Sequence, residues 1–195
     1  HLPAYGPYVY HPEEFENDGF VQPYGDSPLD GEVVGENVYL NIINQAKKYI
    51  YITTPYLIID NEMMTALCLA SKKGIDVRII TPGIPDKKLT QSYYRQLLEA
   101  GVRIYEYTPG FIHAKSFVCD DEIAVVGTIN LDYRSLYLHF ECAAWMYQCQ
   151  AVGQVKEDML NTFRNSREVS LNTCKEQNVF RRGLQNILRL FAPML

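Results

Sequence analysis

Tyr49-Ile50-Tyr51-Ile52-Thr53-Thr54-Pro55 is a run of strand formers closed by a proline, and the helix and strand next in the chain set the fold class. Asp60 can cap a helix from Asn61 to Lys73, with Gly74 marking its end. Met63, Met64, Leu67 and Leu69 in that helix read as core residues. Val77-Arg78-Ile79-Ile80 is a second strand that breaks at Pro82-Gly83. Strand, helix, strand at this spacing is a βαβ unit, which predicts a parallel pair with a right-handed crossover. After a polar turn, Tyr93 to Ala100 predicts another crossover helix and Val102 to Tyr107 a third strand. Upstream, Val38, Ile42, Ile43 and Ala46 recur at helical spacing between Glu36 and Lys48, and Lys47 and Lys48 would complement the dipole of that helix. The expected class is α/β: a mixed β-sheet flanked by helices on both faces, an α/β/α sandwich in a single domain.

Downstream, His113 to Cys119 alternates as a strand, Asp120-Asp121 supplies a turn, and Ile123 to Val126 returns antiparallel. His139 to Tyr147 predicts a further strand. Val152 to Ser166 predicts a helix with Val155, Met159, Leu160 and Phe163 on one face. Residues 1–30 carry Pro3, Pro7, Pro12, Pro23 and Pro28 among aperiodic aromatics, as a linker crossing a surface does. Tyr5, Tyr8 and Tyr10 there are expected to dock on their own domain. The catalytic domain is expected over 31–166, and 167–195 as a tail. Within the tail, Arg181 to Phe191 is amphipathic and suits a membrane surface or a helix docked on this domain or on a missing partner domain.

The net charge of -5, without a basic stripe, argues against a general nucleic-acid partner. Cys68, Cys119, Cys142, Cys149 and Cys174 are odd in number and lack a C-x-x-C pair. They read as reduced, mostly buried thiols in a cytoplasm-facing compartment. The start His1-Leu2-Pro3-Ala4 has no basic region ahead of an apolar core and reads as a cut inside a longer chain. No apolar run is long enough to span a bilayer, so this piece is expected to be soluble.

The chemistry concentrates in His113-Ala114-Lys115. Strand alternation puts an imidazole and an ammonium on one face, a pairing that suits an anionic centre. Lys115 can hold a phosphate oxygen, Asn130 can donate its amide to another, and Thr128 can add a hydroxyl. Gly127 would permit close backbone approach. Neutral histidine can attack phosphorus and form a covalent phosphohistidine, chemistry that needs neither metal nor cofactor. Glu141 is the candidate carboxylate to orient the histidine. Asp120 alone reads as a turn former.

Taken together, His113-x-Lys115, Asp120 four residues on, and Gly127-Thr128-Ile129-Asn130 after six more resemble the signature of the phospholipase D superfamily. The resemblance implies His113 as nucleophile or acid, Lys115 and Asn130 as phosphate ligands, Thr128 as a supporting donor, Glu141 as the partner of histidine, and Asp120 as mainly structural. The flanks Tyr105 to His113, Asp132-Tyr133-Arg134-Ser135-Leu136 and Phe140-Glu141 are similar to the second catalytic domain of bacterial cardiolipin synthases. That implies transfer of a phosphatidyl group from one phosphatidylglycerol to another, giving cardiolipin and glycerol. It also implies anionic phospholipid and a membrane surface as partners, with the full-length protein at the cytoplasmic membrane. The family uses two motifs per site and this chain has one, so a companion catalytic domain or a homodimer mate is expected and an isolated monomer should be inactive. The alternative is a phosphodiesterase or nuclease acting as a single-motif homodimer. The link from Lys88 to Ser92 is also shorter than the family's.

Overall fold

Strand β2 (Tyr49–Thr53) is buried along its whole length, which requires a place inside a sheet covered on both faces. The computed structural model describes residues 16, 18–29, 31–84 and 88–172, with 88 and 89 as backbone only. In chain order the other elements are β1 (Phe20–Asp26), α1 (Val34–Gln45), β3 (Leu57–Ile58), α2 (Asn61–Lys72), β4 (Asp76–Pro82), α3 (Lys88–Glu99), β5 (Arg103–Tyr107) and β6 (Ser116–Cys119). They continue with β7 (Ile123–Gly127), β8 (Leu131–Asp132), α4 (Tyr133–Tyr137), β9 (Glu141–Tyr147), α5 (Gln150–Arg164) and β10 (Ser166–Glu168). Eight strands form one sheet in the order β1-β9-β7-β6-β2-β4-β5-β10, and β3 pairs with β8 apart from it. The β2, β4 and β5 strands are parallel, as the βαβ reading predicts, and the other pairs of this sheet are antiparallel.

Strand alternation sorts the core into two layers. Ile50, Ile52, Val77, Ile79, Ile104, Phe117 and Val125 pack with residues of α1, α2 and α3 on one face. Tyr49, Tyr51, Ile80, Tyr105, Val118 and Ala124 face α5 through Val152, Met159 and Phe163. Asp60 caps α2 as expected, accepting the Met63 N–H at 2.8 Å, and Gly74 adopts a positive φ just beyond that helix. Among the described residues no helix is long and apolar enough to cross a membrane.

Several expectations need correction. Residues 20–26, inside the presumed linker, form the edge strand β1, paired with β9 from Phe20↔Tyr147 to Asp26↔Glu141. Pro23 hid it, because proline is tolerated in a strand at a sheet edge. Likewise β10 overlaps the start of the presumed tail and pairs with β5. Tyr5, Tyr8, Tyr10, Cys174 and the 181–191 segment lie outside the described residues. Helix α3 starts at Lys88, so the short link continues as helix. Helix α1 ends at Gln45, leaving Lys47 and Lys48 beyond its last turn. Leu69 is half exposed, and the thiols are unevenly placed, with Cys119 buried and Cys142 exposed.

Asp120 and Asp121 occupy the β6–β7 turn with φ of 55° and 64°, the left-handed values that a type I′ hairpin requires at both central positions. The Asp120 carboxylate accepts the N–H groups of Lys47, Lys48 and Tyr49 at 2.6, 2.9 and 2.8 Å. It thereby fastens the α1–β2 link to the hairpin. Replacement by alanine strips those amides of their acceptor, and urea unfolding is expected to show a loss of about 2 kcal/mol. Asp120→Asn keeps an acceptor oxygen and tolerates the left-handed region, so it should lose less.

Candidate active site

The strand β6 begins where β7 ends and where β9 begins, because the three run antiparallel with Ser116 opposite Val126 and Gly127 opposite Ala143. Thr53, the last residue of β2, pairs with Ser116 at the same end. Residues 113–115, 127–130 and 141 therefore meet beyond the carboxyl ends of the parallel strands, the usual place for a ligand in an α/β sheet. The ladder closes there with Gly127 N–H on the Lys115 carbonyl at 3.2 Å and Thr128 N–H on the Cys142 carbonyl at 2.9 Å. Gly127 serves this closure: a β-carbon there would lie 2.4 Å from the Cys142 carbonyl oxygen and from the Ala143 β-carbon. The close approach is to β9.

His113 and Lys115 precede β6 as extended chain, because the partner strand ends at Gly127. They do converge. The Lys115 Nζ lies 2.9 Å from His113 Nδ1, 3.1 Å from Nε2 and 2.7 Å from the His113 carbonyl oxygen. Lys115 is buried while His113 is exposed, with its ring against Phe111 at 5.7 Å. Burial lowers the Lys115 pKa, and the negative charges of Glu141 and Asp132 pull it back up. A desolvated ammonium of this kind exerts a strong field on an incoming anion.

The remaining predicted residues divide. The Thr128 hydroxyl donates to the Glu141 carboxylate and accepts the Cys142 N–H at 3.0 Å. Glu141 was expected to orient His113. Its oxygens instead meet Thr128 and His139, whose Nδ1 lies 3.7 Å away, because β9 delivers Glu141 beside the 127–130 loop. The Asn130 amide donates to Ser135 Oγ at 2.9 Å, and its Oδ1 is buried without a partner. Asp120 lies at the opposite end of β6, occupied by backbone amides, and takes no direct part in this site. Among the described residues, no three His, Cys, Asp or Glu side chains gather as metal ligands.

Supporting residues were missed in the sequence. Asp132 caps α4 by accepting the Ser135 N–H at 2.8 Å, and burial raises its pKa. The spacing Asp132-x-x-Ser135 is a legible capping signal. Tyr39 of α1, stacked on Phe117 at 4.0 Å, donates to the Ile129 carbonyl at 3.0 Å and so holds the motif loop from beneath. No local signal marks that contact, which spans 90 residues of sequence.

Under α4, the single hydroxyl proton of Tyr137 faces two carboxylates, Glu36 Oε2 at 2.7 Å and Asp60 Oδ2 at closer range. One proton cannot satisfy both. Burial and the hydrogen bond with Asp60 raise the Glu36 pKa to about 7, so Glu36 holds the second proton. Burial also pushes Asp60 up, but hydrogen bonds from Glu36, Tyr137 and the Met63 N–H outweigh it and hold Asp60 below its usual range.

Among known proteins, the family described as cardiolipin synthase, PLD-like domain, matches residues 39–163, a range that includes each residue of the proposed site. An uncharacterized protein of Streptococcus mutans is 54% identical over 186 residues, 93% of this chain and 40% of its own length. The cardiolipin synthase of Alkalihalophilus pseudofirmus is 38% identical over 184 residues, 92% of this chain and 37% of that protein. The chain thus spans 37% to 40% of the length of these curated relatives. Among solved structures, Nuc of Salmonella typhimurium, a phospholipase D family member, superposes with a TM-score of 0.68 at 18% identity. That match covers 77% of this chain and 97% of the other, and it establishes the shared fold.

The raised Glu36 pKa has a readable consequence. Its stabilising contribution is complete below about 4.5, the usual carboxylate value, and is lost as pH rises through about 7. Between pH 5 and pH 8 the unfolding free energy is expected to fall by about 2 kcal/mol from this group. Urea titrations of Glu36→Gln against the parent chain should show that slope flattened in the variant.

Proposed function

The chain belongs to the cardiolipin synthase, PLD-like domain family, and from that membership we propose that it carries one half of a two-motif phosphatidyltransferase site. The observation that carries this reading is the contact between His113 and a buried Lys115 at the carboxyl end of the parallel strands. In such a site one histidine attacks the phosphorus of phosphatidylglycerol while the other protonates the departing glycerol. A P–N bond forms as the P–O bond to glycerol breaks. The hydroxyl of a second phosphatidylglycerol then attacks, the P–N bond breaks, and cardiolipin results. His113 takes one of the two histidine roles, and a companion domain or a second copy supplies the other.

Lys115 and Asn130 would hold phosphate oxygens. Thr128 and Glu141 brace the loop that presents Asn130, a part different from orienting His113. The negative balance of the chain favours a lipid over a nucleic acid as the phosphodiester, because the affinity of nucleic-acid binders rests on many cationic contacts. The reaction takes place at a membrane surface, where both substrates reside.

In the complete two-motif protein, His113→Ala is expected to reduce turnover of phosphatidylglycerol roughly a thousandfold. Trapping of a labelled phosphatidyl group, with mapping of the labelled histidine, assigns the nucleophile. Retention of full turnover by the variant would refute the site, and phosphatidic acid in place of cardiolipin would make the reaction hydrolysis. The isolated chain should be inactive as a monomer, and activity in a strictly monomeric sample would overturn the half-site reading.

A further inference from the structure

We infer that His139 is a positioning residue of this site, whose proton decides how much of the Lys115 charge is available to an anionic phosphodiester. The inference rests on the phosphatidyl-transfer reading. His139 lies between α4 and β9, half exposed, with Nδ1 at 3.7 Å from Glu141 Oε1. The other Glu141 oxygen takes the Thr128 hydroxyl. One carboxylate thus joins the motif loop to the imidazole.

A second carboxylate shares the arrangement. Asp132 is buried and senses the charge of His139, while Lys115 is pulled by both Glu141 and Asp132. Glu141 is therefore shared: it stands beside the His139 imidazole, and its negative charge also bears on Lys115. When His139 is neutral, both negative charges bear on Lys115 and oppose an anionic ligand. When His139 is protonated it neutralises part of that charge, and the field of Lys115 reaches the ligand less diminished.

The other groups around His139 are already engaged. Its ring lines a cavity of about 240 Å³ with Asp26, Glu32 and Tyr137. Asp26 accepts the N–H groups of Ser27, Val34 and Gly35. Glu32 accepts from Asn37, and the Tyr137 hydroxyl is held by Glu36 and Asp60. Glu141 and Asp132 are therefore the groups to which a proton on His139 matters. The ring's exposure lets that proton exchange with solvent. No lysine stands two residues after His139, so the phospholipase D signature assigns it no part.

The test uses the full chain and dihexanoyl phosphatidylglycerol below its micelle concentration, a phosphodiester whose charge is constant between pH 5 and 8.5. Calorimetric affinity of the parent chain should fall across that range about threefold to fivefold more than that of His139→Gln. His139→Lys, with its charge fixed, should retain the stronger binding at pH 8.5. His113 is present in all three proteins, so its contribution cancels in the comparison. In a Glu141→Gln background the effect of His139→Gln on lipid affinity should largely vanish, because the carboxylate that joins the imidazole to the motif loop is gone. Superimposable affinity profiles for the parent and His139→Gln, or an effect of His139→Gln that persists undiminished beside Glu141→Gln, overturn the inference. Failure of the parent chain to bind the lipid at any pH sinks the phosphatidyl-transfer reading and the inference with it, whereas binding that does not depend on His139 sinks the inference alone.

Discussion

The turn at Asp120 and Asp121 fixes the register of β6 on β7, and the far end of the sheet depends on that register. A slip of one residue in a strand pair sends each side chain to the opposite face. Here it would take Phe117 and Cys119 out of the core layer beneath α1 and α2 and carry Lys115 away from Glu141. The left-handed backbone of two aspartates is costly in isolation. Three backbone N–H groups on the Asp120 carboxylate offset that cost, as does the Tyr49 hydroxyl on Asp121. A residue outside the site thus sets the geometry of the site.

At the opposite end the sheet gives way to polar groups that the core has to tolerate. Lys115, Asp132, Glu36 and Ser135 are all buried there. Each is held by a specific partner, because a buried charge without compensation is expensive. The supports come from different layers: Tyr39 from α1 under Ile129, Asp132 at the head of α4, and Tyr137 between the carboxylates of Glu36 and Asp60. Such bracing holds the 127–130 loop from several layers at once. It is the preorganisation an anion site needs if charge is to be stabilised without rearrangement.

In the proposed reaction this end of the sheet would hold a phosphate and would still need a proton donor. His113 and Lys115 set an imidazole and an ammonium side by side, and a displacement at phosphorus would need both a nucleophile and an acid for the departing alcohol. The length of the curated relatives, more than twice that of this chain, leaves room for a second half that would provide it. Glu141 makes the same point from another side. It faces the motif loop and His139, so in the proposed function its part would be to tune the electrostatics around a phosphate and not to orient His113.

Local sequence was enough for the parallel β2, β4 and β5 strands, the Asp60 cap and the hairpin at Asp120, because each arises from the spacing of neighbouring residues. The spacing of His113, Lys115, Thr128 and Asn130 carries the expectation of a phosphate site. Strand β1 escaped, since pairing with β9 across more than a hundred residues leaves no periodic mark in a proline-rich stretch. The partner of Glu141 escaped for the same reason: which groups a side chain meets depends on strand order and register, neither of which is written locally. Sequence by itself determined which chemical groups this protein carries and the strands and turns that hold them. Only the tertiary structure decided that Asp120 leaves the site, that Glu141 turns to Thr128 and His139, and that Asp132 and Tyr39 support it, because those contacts are made by segments distant in the chain.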